Sequence, residues 1–381
     1  MSSLEAGADF STPRATLWRR LRHAVGEQGA VLRQGRQGRW RWPWALLSTV
    51  LAVLGIGIMQ ACVMGIGWAF RVEIAPDKVL DAQRLSSFVM VLLAFVPLII
   101  VPCLLMRYLH KVSWRQLLAF SGRFDWRLYR RSAGAFFVVG AALVAIDYAI
   151  DPKAYQLVHR GIDFLPWLAL GLAVIFVQTL AEEILFRGYL LRMWGAVVPY
   201  AWLTASIVIG VFISLHVDNP DFKLDFWFNL IAFALTQLVW SYLWFRTGSV
   251  AATAGLHWAN NAAAFFFLVA VPGWSPSMAI AIYRDDVLLK GGSHLLDPYA
   301  WVVTLLGIGL TLALLVWRRS PFYLPVAPSG RHADVHLDEP ARATSVPTNG
   351  KGNCLLPRRP SLKAFQRICC RSCPPSRALA R

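Results

Sequence analysis

Two adjacent carboxylates, Glu182 and Glu183, stand in a mostly apolar stretch from Leu165 to Leu191 whose only other charged residue is Arg187. A charged residue at the centre of a lipid-embedded helix costs about 2.5–3.5 kcal/mol on insertion scales, so such groups usually face protein or water and serve a function. Glu183 and Arg187 are four positions apart and share a helix face, acid before base, which is the favourable order for an ion pair. Glu182 lies about 100° round the same helix and is left without that partner. The expectation is that Glu182 does chemistry while Glu183 and Arg187 support it.

Two further polar clusters interrupt apolar segments. One is Phe212-Ile213-Ser214-Leu215-His216. The other is His257-Trp258-Ala259-Asn260-Asn261, which puts His257 and Asn261 on one face and leaves Asn260 off it, as a packing or backbone-bonding residue. At about 1.5 Å per residue, Glu182 lies roughly 18 Å from Trp194, His216 roughly 24 Å from Tyr200 and His257 roughly 12 Å from Ser249, so all three fall within bilayer depth. A carboxylate and an imidazole can hold and deprotonate a water, and a second histidine with an asparagine can donate to a developing oxyanion. Glu182, His216 and His257 are also ligand types for a catalytic zinc with one open position. Both readings give attack of an activated water on an amide. Alone, His216 reads as a helix-end residue meeting water, and His257 with Asn261 as interhelical hydrogen-bonding glue.

The elements that must position these groups follow from composition. The 381 residues are 57% hydrophobic and only 15% charged, and several apolar runs reach the roughly 18–20 residues that span a bilayer. The fold class is therefore all-α, a polytopic membrane bundle of about eight helices. The spans are expected at 42–70, 88–106, 135–150, 166–194, 200–216, 227–245, 249–271 and 300–317. The net charge of +17 is carried by arginines beside apolar segments, the positive-inside pattern, which argues against nucleic acid as a partner. Residues 1–41 form a basic lead with no signal peptide, and 320–381 a Pro- and Arg-rich disordered tail. Both termini are expected in the cytoplasm and the chain in the inner cell membrane. The tail cysteines Cys369, Cys370 and Cys373 lack a fourth metal ligand, and no structural disulfide is expected.

Glu-Glu-x-x-x-Arg, then Phe-x-x-x-His, then His-x-x-x-Asn, in that order and in apolar helices, resembles the CPBP family of CAAX proteases and bacteriocin-processing proteins, also called Abi. The resemblance covers about 166–271. It implies an intramembrane endopeptidase acting on a membrane-associated peptide or protein. Glu182 would be the catalytic carboxylate, His216 would help activate the water, and His257 and Asn261 would complete the site. Glu183 and Arg187 would fill the supporting positions. The family has been described both as zinc-type metalloproteases and as glutamate-dependent proteases. Members thought to act as immunity or scaffold proteins provide a non-catalytic alternative. A proton-coupled transporter, with Glu182 and the histidines as a relay, is the third class. Sequence motifs of other protease chemistries, His-Glu-x-x-His, Gly-x-Gly-Asp and Gly-x-Ser-x-Gly, are absent.

Overall fold

The computed structural model describes residues 41–72, 85–158, 162, 164–198, 200–269, 279–283 and 294–326. The basic lead up to residue 40, most of the 272–298 loop, and the tail from 327 with its cysteines lie outside the described residues.

Helix α1 (Trp42–Ala69) begins with Pro43 in its first turn, where the missing N–H costs nothing. It is apolar all round and buries only Ala45, Ser48, Ala52 and Gly67, so most of its surface is left for lipid. α2 (Leu85–Phe95) and α3 (Pro97–Leu104) run on into a π turn, Leu105–Leu109, and form one span from Phe88. α4 (Trp126–Ile150) is capped by Asp125, whose Oδ1 accepts from the N–H groups of Arg127 and Leu128. That cap starts the helix nine residues before the expected Ala135. The basic turn with Arg127, Arg130 and Arg131 belongs to the helix although it is too polar for an apolar run.

α5 (Phe164–Glu183) continues as a π-helical stretch, Ile184–Leu191, and ends in α6 (Arg192–Val197). α7 (Ala201–Ser214), the short α8 (Pro220–Leu224) and α9 (Phe226–Thr247) follow. Gly248, at φ +63°, closes α9 in the left-handed conformation, and the Ser249 hydroxyl then caps α10 (Val250–Ala262), which ends in a π turn, Ala263–Phe267. The last span is α11 (Pro298–Val316), capped by Asp297.

Among the described residues six helices are long and apolar enough to cross a membrane, and α7 is a shorter apolar one. The chain is thus an all-α polytopic membrane bundle. α10 is not among these six, and it faces protein: every residue from Val250 to His257 is buried. Strands are few and short. β1 (Tyr155–Leu157), β2 (Leu268–Val269) and β3 (Ala281–Tyr283) make a sheet ordered β1-β3-β2, antiparallel between β1 and β3 and parallel between β2 and β3. The sequence pattern held no expectation of it.

Two glycines set how closely the backbones approach the site. A Cβ on Gly255 of α10 would stand 2.3 Å from the Tyr129 carbonyl oxygen of α4, and one on Gly188 would stand 2.5 Å from the Leu117 oxygen. Only glycine allows such contact between backbones. The segment carrying Leu117 is also tied to the start of α10. Phe120 N–H donates to the Gly248 carbonyl, and Val250 N–H donates to that of Leu118. Finally, residues 320–326, expected to open the disordered tail, fold back on the bundle. Leu324 is fully buried and its carbonyl accepts from Arg246, while Arg131 donates to the Tyr323 carbonyl.

Candidate active site

The end of α5, the end of α7, the middle of α9 and the second half of α10 converge on one cavity of about 940 Å³, whose wall is completed by α1, α2 and α3. Its wall is mostly apolar, with polar groups from Gln178, Glu182, His216, Gln237, His257 and Asn261. Asn260 and Asp221 also reach it. The three motif clusters therefore meet in one space.

Glu183 is fully buried. Its Oε1 accepts from Arg187 Nη1 at 2.8 Å and from His257 Nδ1 at 3.0 Å. Arg187, 2% exposed, also donates through Nη2 to Gln237 Oε1 and lies over the rings of Phe212 and Trp240, 5.4 and 5.7 Å from their centres. The guanidinium is held by a carboxylate, a carboxamide and two aromatic faces, which is what a buried cation requires. The π-helical stretch begins one residue after Glu183, and wide turns of this kind are frequent at functional sites.

Glu182 is 4% exposed. Its Oε1 accepts from Gln178 Nε2 at 2.6 Å. Its Oε2 lies 3.4 Å from His257 Nε2, close enough for charge attraction but not aligned as a hydrogen bond, and it has no hydrogen-bond partner among the described residues. The chemistry of His257 follows from its two neighbours. Glu183, already paired with Arg187, only accepts, so Nδ1 carries the hydrogen. In the neutral ring Nε2 is then a lone pair that faces Glu182 Oε2. Two acceptors at that separation need a hydrogen between them, from a shared proton or from a water.

His216 is half-buried, its ring stacked on Phe212 with centres 4.1 Å apart. Its Nδ1 donates to the Phe212 carbonyl at 2.7 Å, which leaves Nε2 as the basic atom of that ring. Asn261 Nδ2 donates to Gln178 Oε1 at 3.0 Å. Asn260, expected to pack or bond to backbone, donates instead through Nδ2 to Asn261 Oδ1 at 3.2 Å. The expected zinc set of Glu182, His216 and His257 is not gathered around one point. Among the described residues no three His, Cys, Asp or Glu side chains form a group able to hold a metal ion.

Sequence reading passed over Gln178 and Gln237. The first carries a signal in hindsight: it precedes Glu182 by one helical repeat of four. Gln237 has none, since its partner Arg187 is fifty positions away.

Residues 164–263 match the family model described as type II CAAX prenyl endopeptidase Rce1-like. The chain is 30% identical over 179 residues to the uncharacterized protein YyaK of Bacillus subtilis (strain 168), a region covering 46% of this chain and 60% of YyaK. No solved structure matches it. All six motif residues, from Glu182 to Asn261, fall inside the segment that is similar to the Rce1-like, type II CAAX prenyl endopeptidase model.

Proposed function

We propose that the chain is an intramembrane endopeptidase and that Glu182 is its general base. One observation carries the reading: among the described residues a buried carboxylate oxygen, Glu182 Oε2, is left without a hydrogen-bond donor on the wall of a cavity that also holds two imidazoles. An ionised carboxylate in that position draws a water. Oε2 takes a proton from it, and the water oxygen attacks the carbonyl carbon of the scissile peptide bond. The tetrahedral oxyanion that forms needs donors; the second N–H of Asn261 supplies one. The proton held on Glu182 then passes to the amide nitrogen, the C–N bond breaks, and an acid and an amine leave. His216 Nε2 offers a second acceptor to the incoming water. Glu183 acts through His257: it fixes the hydrogen on Nδ1 and so sets which atom faces the substrate. Arg187 keeps Glu183 ionised and in place.

The mostly apolar wall suits a membrane-associated substrate, and the family description points to a prenylated peptide as the first probe. Purified protein in proteoliposomes is given a fluorogenic peptide ending in a farnesylated cysteine and three further residues. Glu182→Gln keeps shape and removes the base. It is expected to lower cleavage by at least about 10³-fold, within the range that a general base and charge stabilisation together supply. Elution volume and thermal unfolding should match the wild type. Cleavage by Glu182→Gln at the wild-type rate would sink the reading and favour a non-catalytic role. Repeating the wild-type assay with a chelator, then with zinc restored, decides whether a divalent ion takes part.

A further inference from the structure

Four side chains in the cavity wall are joined head to tail. Asn260 Nδ2 donates to Asn261 Oδ1, Asn261 Nδ2 donates to Gln178 Oε1, and Gln178 Nε2 donates to Glu182 Oε1. The direction is dictated by its last member. An ionised carboxylate only accepts, so Gln178 must turn its NH₂ to Glu182 and its oxygen to α10. Asn261 must then present its own NH₂ to Gln178, and its oxygen is left for Asn260. Each amide that accepts a hydrogen bond becomes a better donor to the next, so the row polarises towards Glu182. The contact at its end, 2.6 Å, is the shortest of the three.

We infer that Gln178 is a positioning residue for catalysis: it ties up Oε1 of Glu182, holds the carboxylate plane, and presents Oε2 as the one oxygen able to take a proton from water. Asn260 and Asn261 act through it, as the polarising half of the relay. Asn261 therefore couples α10 to the general base on α5 besides any contact with substrate. Gln178 is 9% exposed and Glu182 4%, so bulk water does not substitute easily for a lost donor. The inference rests on Glu182 being the general base.

Gln178→Met keeps length and apolar bulk and removes both ends of the link. With the farnesylated fluorogenic peptide, kcat is expected to fall about 10- to 100-fold, as for a lost hydrogen bond to a charged group, with KM changed less than about twofold. A residue that merely packs would leave kcat unchanged or lower folded yield, read by elution volume. In a double-mutant cycle, Asn261→Ala should cost clearly less in the Gln178→Met background than in the wild type; additive losses would overturn the coupling. A readout without substrate keeps the two readings apart. The infrared band of the Glu182 carboxyl, isolated as wild type minus Glu182→Gln, should shift when the same difference is taken in the Gln178→Met background. An unmoved band overturns the inference even if Glu182→Gln abolishes cleavage. If Glu182→Gln cleaves normally while the band moves, the contact stands, but the general-base reading and the catalytic role given to Gln178 both fall.

Discussion

Helices α1 and α10 invert each other. α1 is 28 residues long, carries no charge, and leaves all but four residues short of burial. α10 has 13 residues, many of them Ala or Gly, and buries nearly every one while holding His257 and the start of the amide relay. In water the more apolar helix would be the inner one. In a bilayer the tails are as apolar as leucine, so hydrophobicity gives no inward drive and small size does. α1, which hydropathy and length alone reveal, is among the spans least enclosed by the protein. The helix that builds the site is short and only weakly hydrophobic.

That contrast can be broken or sharpened by substitution. The largest effect is expected where buried charge meets α10. Arg187→Leu removes the cation from Glu183 and leaves a carboxylate uncompensated beside His257, at a cost of about 3–5 kcal/mol; thermal unfolding in detergent should show a large drop or no folded peak. Wild-type stability in this variant would mean that the polar centre tolerates free charge and that α10 is less tightly specified than argued. Next comes Gly255→Ala on α10. One methyl group driven to 2.3 Å from the Tyr129 oxygen forces α10 and α4 apart, for about 1–3 kcal/mol, with cleavage falling alongside stability. The smallest effect belongs to α1. Ile58, 64% exposed to the surroundings of the bundle, should accept alanine within about 0.5 kcal/mol. A larger loss at Ile58 would show that α1 packs against a partner and not against lipid.

The same contrast explains what the sequence made visible. Glu182, Glu183 and Arg187 stand out because ionised groups in an apolar run are costly, and a spacing of four predicts their pairing. His257 and Asn261 were placed on one face by the same arithmetic. The long spans were legible because length and hydropathy suffice for helices that face lipid. Carboxamides are another matter. Gln178 and Gln237 disturb a hydropathy average little, and what they do depends on partners reached only after folding. Asn260 was set aside because it points away from Asn261 on a helical wheel; neighbouring side chains long enough to bend towards one another evade that test. The start of α4 was missed because its first turn is basic, with Asp125 the only local sign of where it begins. The fold-back of residues 320–326 depends on carbonyls accepting from Arg131 and Arg246, which no composition reveals.

The π-helical stretch from Ile184 to Leu191 has an angular consequence. Hydrogen bonds that skip an extra residue wind the chain more slowly, so the phase of everything beyond Leu191 is offset from that of α5. Ahead of the offset, Gln178 and Glu182 look into the cavity. Behind it, Arg192 is aimed elsewhere, at the carbonyl and side chain of Gln116. One rod thus serves as a keyed shaft with two bearings set at different angles, one seating the carboxylates and the other clasping the link between α3 and α4.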